Sequence, residues 1–216
     1  MCGRTSTPSL RDGTLIANRF ALSTTDLPEY DGNVNTRPGT YNPLVIEREQ
    51  PDGQRERVVE LMKWGLVPVW AKEPRVKGST INARAATIAE LPTYKVPFKR
   101  WRGIVIVDGF YEWREEGGAK VPYRFSVTDD ELFGLGAVYS VWYDKTQPDA
   151  PPLLSYSIIT LTPNELVKQV HPKAMPFIVP MELEAAWLGK NTDEGLLHAM
   201  MVPYPADQME MRRAEI

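Results

Sequence analysis

Short apolar segments separated by polar turns dominate the pattern of hydrophobic and polar positions along this chain. The segments are strand-sized and rich in valine, isoleucine and aromatic residues, which is typical of β-strands. The sequence Glu115-Glu116-Gly117-Gly118 predicts a hairpin turn, because paired glycines adopt the backbone conformation that tight hairpins require. The apolar segments predict strands over residues 44–47, 58–62, 103–113, 123–127, 132–142 and 153–162.

Helical patterns are few and short. Thr162-Pro163-Asn164-Glu165 has the features of a helix start, with its first residue as the N-cap, and this helix would end near Val170. Residues 182–188 and 193–201 predict two more helices. We therefore expect an α+β fold: one domain over residues 1–216, with a largely antiparallel, barrel-like β core and short peripheral helices.

The composition is that of a globular protein. Of the 216 residues 43% are hydrophobic and 10% are aromatic, which does not fit a disordered chain. The chain contains no apolar run of the ~20 residues that a bilayer span needs and no signal-peptide pattern. We therefore expect a protein that is cytoplasmic (nucleoid-associated) or nuclear, without membrane contact and not secreted. A monomer is a separate expectation.

Charge is distributed unevenly around a net value of −3. Residues 71–103 carry eight basic side chains against two acidic ones, whereas residues 182–216 carry seven acidic side chains against three basic ones. Such asymmetry is compatible with a basic binding face on an acidic protein, and equally with an ordinary solvated surface. The basic side chains of the first window are Lys72, Arg75, Lys77, Arg84, Lys95, Lys99, Arg100 and Arg102.

The single cysteine is the second residue, and this position carries the sharpest chemical prediction. If Met1 is removed, Cys2 exposes an α-amine and a thiol on adjacent carbons. The α-amine has a pKa of about 7.7–8.0, so a useful fraction is unprotonated at neutral pH. Such an amine attacks an aldehyde to form a Schiff base, and the neighbouring thiol then closes a five-membered thiazolidine. The alternative is an inert, partly buried thiol.

Four further positions are candidate helpers. Glu112 lies between aromatic residues at the end of an apolar strand, where burial would raise its pKa and suit it to proton transfer; the alternative is an outward-facing strand residue. His171 follows the predicted short helix, and Asn82 and Arg84 lie in the basic window. No spacing supports a zinc site, so we expect neither a metal nor another cofactor.

Five motif-like stretches span roughly residues 1–180. They are Met1-Cys2-Gly3-Arg4, Trp64-Gly65-Leu66-Val67-Pro68-Val69-Trp70, Ile81-Asn82-Ala83-Arg84, Asp108-Gly109-Phe110-Tyr111-Glu112-Trp113, and His171 ahead of Met175-Pro176. Together, and in this order, these stretches resemble the SRAP (SOS response-associated peptidase) family, whose members crosslink to abasic sites in single-stranded DNA.

The resemblance implies a role for each candidate. Cys2 would be the crosslinking nucleophile, Asn82 would orient its amine, and Glu112 and His171 would transfer protons. The partner would be single-stranded DNA that contains abasic sites. The DNA contacts implied are Arg4 and Arg84 to phosphates, Trp70 to a base or sugar, and also Asn35, Pro38 and Thr160.

The chain departs from the family pattern at two places. The usual His-x-Arg-Met-Pro becomes His171-Pro172-Lys173-Ala174-Met175-Pro176, with one extra residue that could move the imidazole out of register. Lys173 would stand in for the usual arginine. After Tyr204-Pro205 the usual ending with Val-Asn is missing, which predicts a reduced terminal strand or DNA-side loop.

Three functions remain open at the level of sequence. The first is the covalent crosslinker, an enzyme with lyase-like Schiff-base chemistry that protects the lesion. The second is an N-terminal-nucleophile peptidase or amidohydrolase, with self-processing of the N-terminus, in which Cys2 uses its own amine as the base. The third is a non-catalytic nucleic-acid-binding module.

Overall fold

Strands form the frame of the structure. The computed structural model describes residues 2–74, 79–129 and 131–216. Within these ranges the strands are β1 (Thr5–Thr7), β2 (Asn33–Thr36), β3 (Tyr41–Glu49), β4 (Arg55–Trp64), β5 (Asn82–Arg84), β6 (Arg102–Val107), β7 (Gly109–Glu116), β8 (Ala119–Val127), β9 (Phe133–Trp142), β10 (Leu153–Leu161), β11 (Met175–Pro176), β12 (Ile178–Val179) and β13 (Met209–Arg213).

Five of these strands close into a barrel. β3 pairs with β4 and β6, β6 pairs with β9, β9 pairs with β10, and β10 returns to β4. The β10–β4 pairing is parallel and the other four are antiparallel. Beyond β4, the short β5 continues along the same side of β10. The predicted α+β fold with a largely antiparallel, barrel-like core is confirmed.

The barrel is filled by apolar side chains at close packing. All six residues of β6 are buried. Neighbouring segments approach closely at Gly136 on β9, where a Cβ atom would lie 2.4 Å from the ring of Phe177. A side chain at this position would displace the ring, so glycine is required by space and not by a turn.

A second sheet, in the order β13-β8-β7-β1-β2, packs beside the barrel. The strand predicted over residues 103–113 is wrong in one respect: the chain leaves the barrel at Asp108 and enters the second sheet as β7. The guanidinium of Arg124 donates to the Asp108 carbonyl (2.6 Å) and carboxylate (3.0 Å), which holds this corner. The predicted hairpin is confirmed, with positive φ at both Gly117 and Gly118, as a type I′ turn requires.

Short helices lie around the sheets. The helix predicted from residue 162 begins later, because Asn164 and not Thr162 accepts the capping hydrogen bond, from the Val167 amide. The two helices over residues 13–20 and 95–100 were not predicted from the sequence. Within the described ranges, no helix is long and apolar enough to cross a membrane. The helices are α1 (Gly13–Phe20), α2 (Lys95–Arg100), α3 (Glu165–Lys168), α4 (Glu184–Leu188) and α5 (Glu194–Met200).

The start of the chain lies inside the second sheet. β1 pairs with β2 on one side and with β7 on the other. The Tyr111 amide donates to the carbonyl of Arg4 at 3.0 Å, so the pairing with β7 continues beyond β1 toward residue 2. This arrangement brings Cys2 alongside the strand that carries Glu112.

Candidate active site

Cys2 is fully buried at the junction of the two sheets. Its side chain belongs to the apolar core. Burial raises the pKa of the thiol, and the nearby Glu112 carboxyl raises it further, while a hydrogen bond from the Arg4 amide acts in the opposite direction. The sulfur is therefore a neutral thiol at rest, and it needs a proton acceptor before it can act as a nucleophile.

Glu112 and His171 form a pair next to this thiol. Glu112 is 4% exposed, and its Oε2 atom lies 3.8 Å from Nδ1 of His171. Burial raises the pKa of Glu112 to about 8, although the positive charge at the amino terminus acts against it. Burial also lowers the pKa of His171, as do the amino terminus and Lys173. At neutral pH both groups are mainly uncharged, so each can pass a proton with little electrostatic cost.

The extra residue after His171 does not separate it from Glu112. Pro172 and Lys173 form an exposed turn, and pairing resumes where Met175 lies opposite Leu161. The backbone amide of His171 still donates to the carbonyl of Val167 at 2.8 Å, as the last turn of the preceding helix. With the extra residue in this turn, the imidazole lies beside the Glu112 carboxyl, and its catalytic role stays a prediction.

Asn82 has a fixed backbone and an unsatisfied side chain. β5 runs parallel to β10 with Asn82 opposite Ile158, and the hydroxyl of Tyr94 donates to the Asn82 carbonyl at 3.1 Å. Both polar atoms of its amide are buried, and neither has a hydrogen-bond partner among the described residues. Oε1 of Glu112 is in the same condition. Buried polar atoms without partners are rare and costly, so these atoms indicate a place where a ligand binds.

A cavity of about 370 Å³ opens beside Asn82 and carries positive charge. Thr160 lies directly opposite Arg84 in the β10–β5 pairing. Arg84 is exposed and has no ion pair among the described residues, and Lys173 lines the same cavity. The structure thus brings together the predicted residues Asn82, Arg84 and Thr160.

Arg4, Asn35 and Pro38 form a separate group at the β1–β2 edge. The Arg4 guanidinium donates to Oδ1 of Asn35 at 2.6 Å and lies 5.4 Å from the ring centroid of Trp113. Pro38 is exposed at the turn that follows β2. In this conformation Asn35 holds the arginine, and its predicted contact with DNA stays a prediction.

Trp70 stands apart from these groups. It is 61% exposed on the segment that follows β4. This segment is anchored next to it, where the indole of Trp142 donates to the carbonyl of Ala71 at 2.8 Å. An exposed indole on an anchored segment is suited to stacking on a base, and that role also stays a prediction.

The basic window does not form one binding face. Arg102 is buried and donates to backbone carbonyls, including that of Trp187 at 2.7 Å. Lys99 pairs with Glu194 at 2.9 Å. Arg75 and Lys77 lie outside the described residues. Arg102 therefore stabilises the fold, a role that residue type and position along the chain could not reveal.

Sequence reasoning missed two residues that support the site. Tyr94 fixes the Asn82 backbone, and no local pattern indicated this because the contact depends on how α2 packs. Trp113 lies against Arg4, and its place directly after Glu112 in the sequence was the available signal.

Comparisons with known protein families, sequences and structures found similar proteins over most of this chain. The family model described as SOS response associated peptidase (SRAP) matches residues 1–215. The abasic site processing protein YoqW of Bacillus subtilis is 37% identical over 97% of this chain and 90% of its own length. The abasic site processing protein HMCES of Gallus gallus is 30% identical over 87% of this chain and 65% of its own length. A crystal structure of a Bacteroides thetaiotaomicron protein superimposes with a TM-score of 0.83 at 25% identity, covering 99% of this chain and 92% of that one.

The buried carboxyl of Glu112 predicts a pH-dependent stability. Between its ordinary pKa of 4.5 and the folded value of about 8, folding takes up a proton. The native state therefore loses stability as pH rises through this window, and the loss is complete above the folded pKa. Glu112→Gln does not titrate. We expect the variant to be more stable than wild type, by a margin that grows from pH 5 to 8 to the order of a few kcal/mol.

The measurement is the midpoint of urea unfolding for both proteins across pH 4–9. Glu115→Gln, on an exposed residue of the same strand, is the matched control. A stability difference between wild type and Glu112→Gln that does not change with pH would contradict the assignment.

Proposed function

Because this chain belongs to the SOS response associated peptidase (SRAP) family, we propose that it processes abasic sites in single-stranded DNA by crosslinking to them through Cys2. The observation that carries the proposal is the group formed by the buried Cys2 and Glu112 and the half-buried His171, in which a carboxyl oxygen has no hydrogen-bond partner among the described residues. The named abasic site processing relatives point to the same lesion.

The reaction begins at the deoxyribose of the abasic site. Opening of the sugar ring breaks the C1′–O4′ bond, moves a proton to O4′ and leaves an aldehyde at C1′. After removal of Met1, the α-amine of Cys2 adds to C1′, and loss of water gives an imine. The Cys2 sulfur then bonds to C1′ while the nitrogen takes up a proton, and the product is a thiazolidine.

Glu112 and His171 supply the proton transfers that these steps need. A carboxyl with a pKa of about 8 is both an acid and a base near neutral pH, which is the range where general acid–base catalysis is most effective. It can protonate O4′ and the departing hydroxyl, and as carboxylate it can accept the proton of the buried thiol. His171, 3.8 Å away, exchanges the proton with solvent. The unsatisfied amide of Asn82 orients the Cys2 amine.

The binding surface fits a single strand better than a duplex. Arg84 and Lys173 at the cavity and Arg4 at the β1–β2 edge provide phosphate contacts, and the exposed Trp70 provides a stacking surface. Contacts of arginine to phosphates carry no sequence information, and aromatic stacking tolerates every base. An unpaired strand also needs no base flipping to expose the sugar.

The family description also names a peptidase. A buried Cys2 thiol next to a proton acceptor is compatible with an N-terminal-nucleophile hydrolase as well. The two functions differ in their product: the crosslinker keeps its substrate bound covalently, and the hydrolase releases it.

Replacement of Cys2 tests the central chemistry. We expect the purified protein to begin at Cys2 and to gain the mass of the strand, less one water, when incubated with an abasic oligonucleotide. Cys2→Ser should form at most a reversible imine, trapped by borohydride, because oxygen closes the ring less durably. Cys2→Ala should give no stable product.

Intact mass spectrometry, before and after heating, measures all three proteins, and a matched oligonucleotide without an abasic site is the control. A heat-stable adduct of Cys2→Ala would rule out the proposed nucleophile. Turnover of peptides without any adduct would instead support the hydrolase.

Glu112→Gln should slow crosslinking at least tenfold, about 1.4 kcal/mol of activation free energy, because an amide cannot transfer the proton. Single-turnover rates across pH 5–9 should also lose one limb of the pH profile, while the affinity for undamaged strand stays unchanged. Glu115→Gln is again the control. A wild-type rate with an intact pH profile would assign Glu112 a purely structural role.

Arg84→Ala should weaken binding equally for all base sequences, because a phosphate contact carries no sequence information. The slope of log K against log salt should fall by about 0.7. Arg212→Ala, which removes an exposed arginine of β13, is the control. Loss of affinity confined to particular bases would remove Arg84 from the phosphate contacts.

A further inference from the structure

Two arginines lie close together at the β1–β2 edge. Thr5 lies opposite Thr36 in the antiparallel pairing of these strands. Arg4 and Arg37 are the next residues beyond this last pair, one on each chain segment, and the charge of Arg37 acts on Arg4. Like charges on neighbouring strands are destabilising.

Neither guanidinium has a balancing acid. No carboxylate lies within 4 Å of Arg4 or Arg37 among the described residues. Nε of Arg4 is buried and has no hydrogen-bond partner among the residues that the structure describes. Burial lowers the pKa of Arg4, and the charge of Arg37 lowers it further, as expected for neighbouring cations.

Both arginines are positioned by contacts that leave donors available. Arg4 is held by Asn35 on one side and the ring of Trp113 on the other. The carbonyl of Arg37 accepts hydrogen bonds from the amide (3.3 Å) and hydroxyl (2.7 Å) of Thr40. The turn from Arg37 to Thr40 has a φ of +92° at Gly39, as a type II turn requires. Its backbone is thus fixed, while the exposed Arg37 side chain reaches into solvent.

We propose that Arg4 and Arg37 together grip one phosphodiester group of the bound strand. The proposal rests on the proposed function for the identity of the strand. A phosphodiester has two non-bridging oxygens and one negative charge, so each guanidinium can take one oxygen in charge-assisted hydrogen bonds. The anion also removes the repulsion between the two cations. Nothing in the sequence resemblance assigned a role to Arg37, which sits between the noted Asn35 and Pro38.

A solvated surface arginine is the competing interpretation of Arg37, and the two make different predictions. A surface charge affects binding only through the general field of the protein, as Arg212 does at the opposite edge of the same sheet. A phosphate contact adds a local term to affinity and releases a counterion of its own.

The first experiment measures binding of an undamaged single strand, so that crosslinking does not contribute. For Arg37→Ala we expect about tenfold weaker binding at low salt and a salt slope lower by about 0.7. Arg37→Lys should lie between this variant and wild type, since lysine keeps the charge but not the fork. Arg212→Ala should match wild type. The melting temperature of Arg37→Ala without DNA should equal or exceed that of wild type, because a like-charge pair is removed.

The second experiment locates the phosphate. Strands that carry one neutral methylphosphonate linkage, moved one position at a time, should show one linkage whose neutralisation weakens wild type clearly more than Arg37→Ala, in which only Arg4 still contacts that phosphate. If Arg37→Ala matches Arg212→Ala in affinity and slope, or keeps the wild-type linkage profile, the two-arginine grip is wrong. Wild type that still crosslinks under that outcome would leave the proposed function intact. Wild type that neither binds nor crosslinks would refute both.

Discussion

The pairing of β10 on both of its edges is the constraint on which the rest of this structure depends. One edge pairs with β9, and the other pairs first with β4 and then with β5. The first two contacts close the barrel. The third places Asn82 and Arg84 against Ile158 and Thr160. The same strand therefore stabilises the core and forms one wall of the candidate active site.

The site is built from polar groups that the fold leaves without partners. Oε1 of Glu112 and both amide atoms of Asn82 are buried and unsatisfied among the described residues, and Cys2 is buried in the apolar core. Each of the unsatisfied oxygen and nitrogen atoms of Glu112 and Asn82 lowers the stability of the protein alone. Neighbouring parts of the fold offset this cost: the closed barrel is closely packed, and Arg102 stabilises it with hydrogen bonds to backbone carbonyls. Rigid surroundings keep the unsatisfied atoms in place for a ligand.

For the binding of a strand, the location of the positive charges on this acidic protein matters more than their number. Arg84 and Lys173 line a cavity beside Asn82, and Arg4 and Arg37 lie close together at the β1–β2 edge. Lys99 and Arg102 belong to the same basic stretch of sequence as Arg84, yet they are bound by an acid and by carbonyls. A strand that meets a few uncompensated arginines experiences a positive surface even though the net charge is −3.

The sequence by itself predicted the long strands of the barrel, the hairpin at Gly117-Gly118 and the candidates Cys2, Glu112 and His171, because these follow from local residue preferences, residue chemistry and ordered motifs. It did not predict the short strands β1, β2, β5, β11 and β12, or the terminal β13. It also did not separate β6 from β7 at Asp108, identify Asn164 as a cap, or show that Pro172 and Lys173 form an exposed turn. Only the tertiary structure decided that Glu112 lies beside His171, that the Asn82 amide has no hydrogen-bond partner among the described residues and that Arg4 and Arg37 lie close together. The reason is physical: burial, strand register and the pKa of a carboxyl depend on contacts between segments that are far apart in the chain. A local sequence pattern carries no information about which distant segments come into contact.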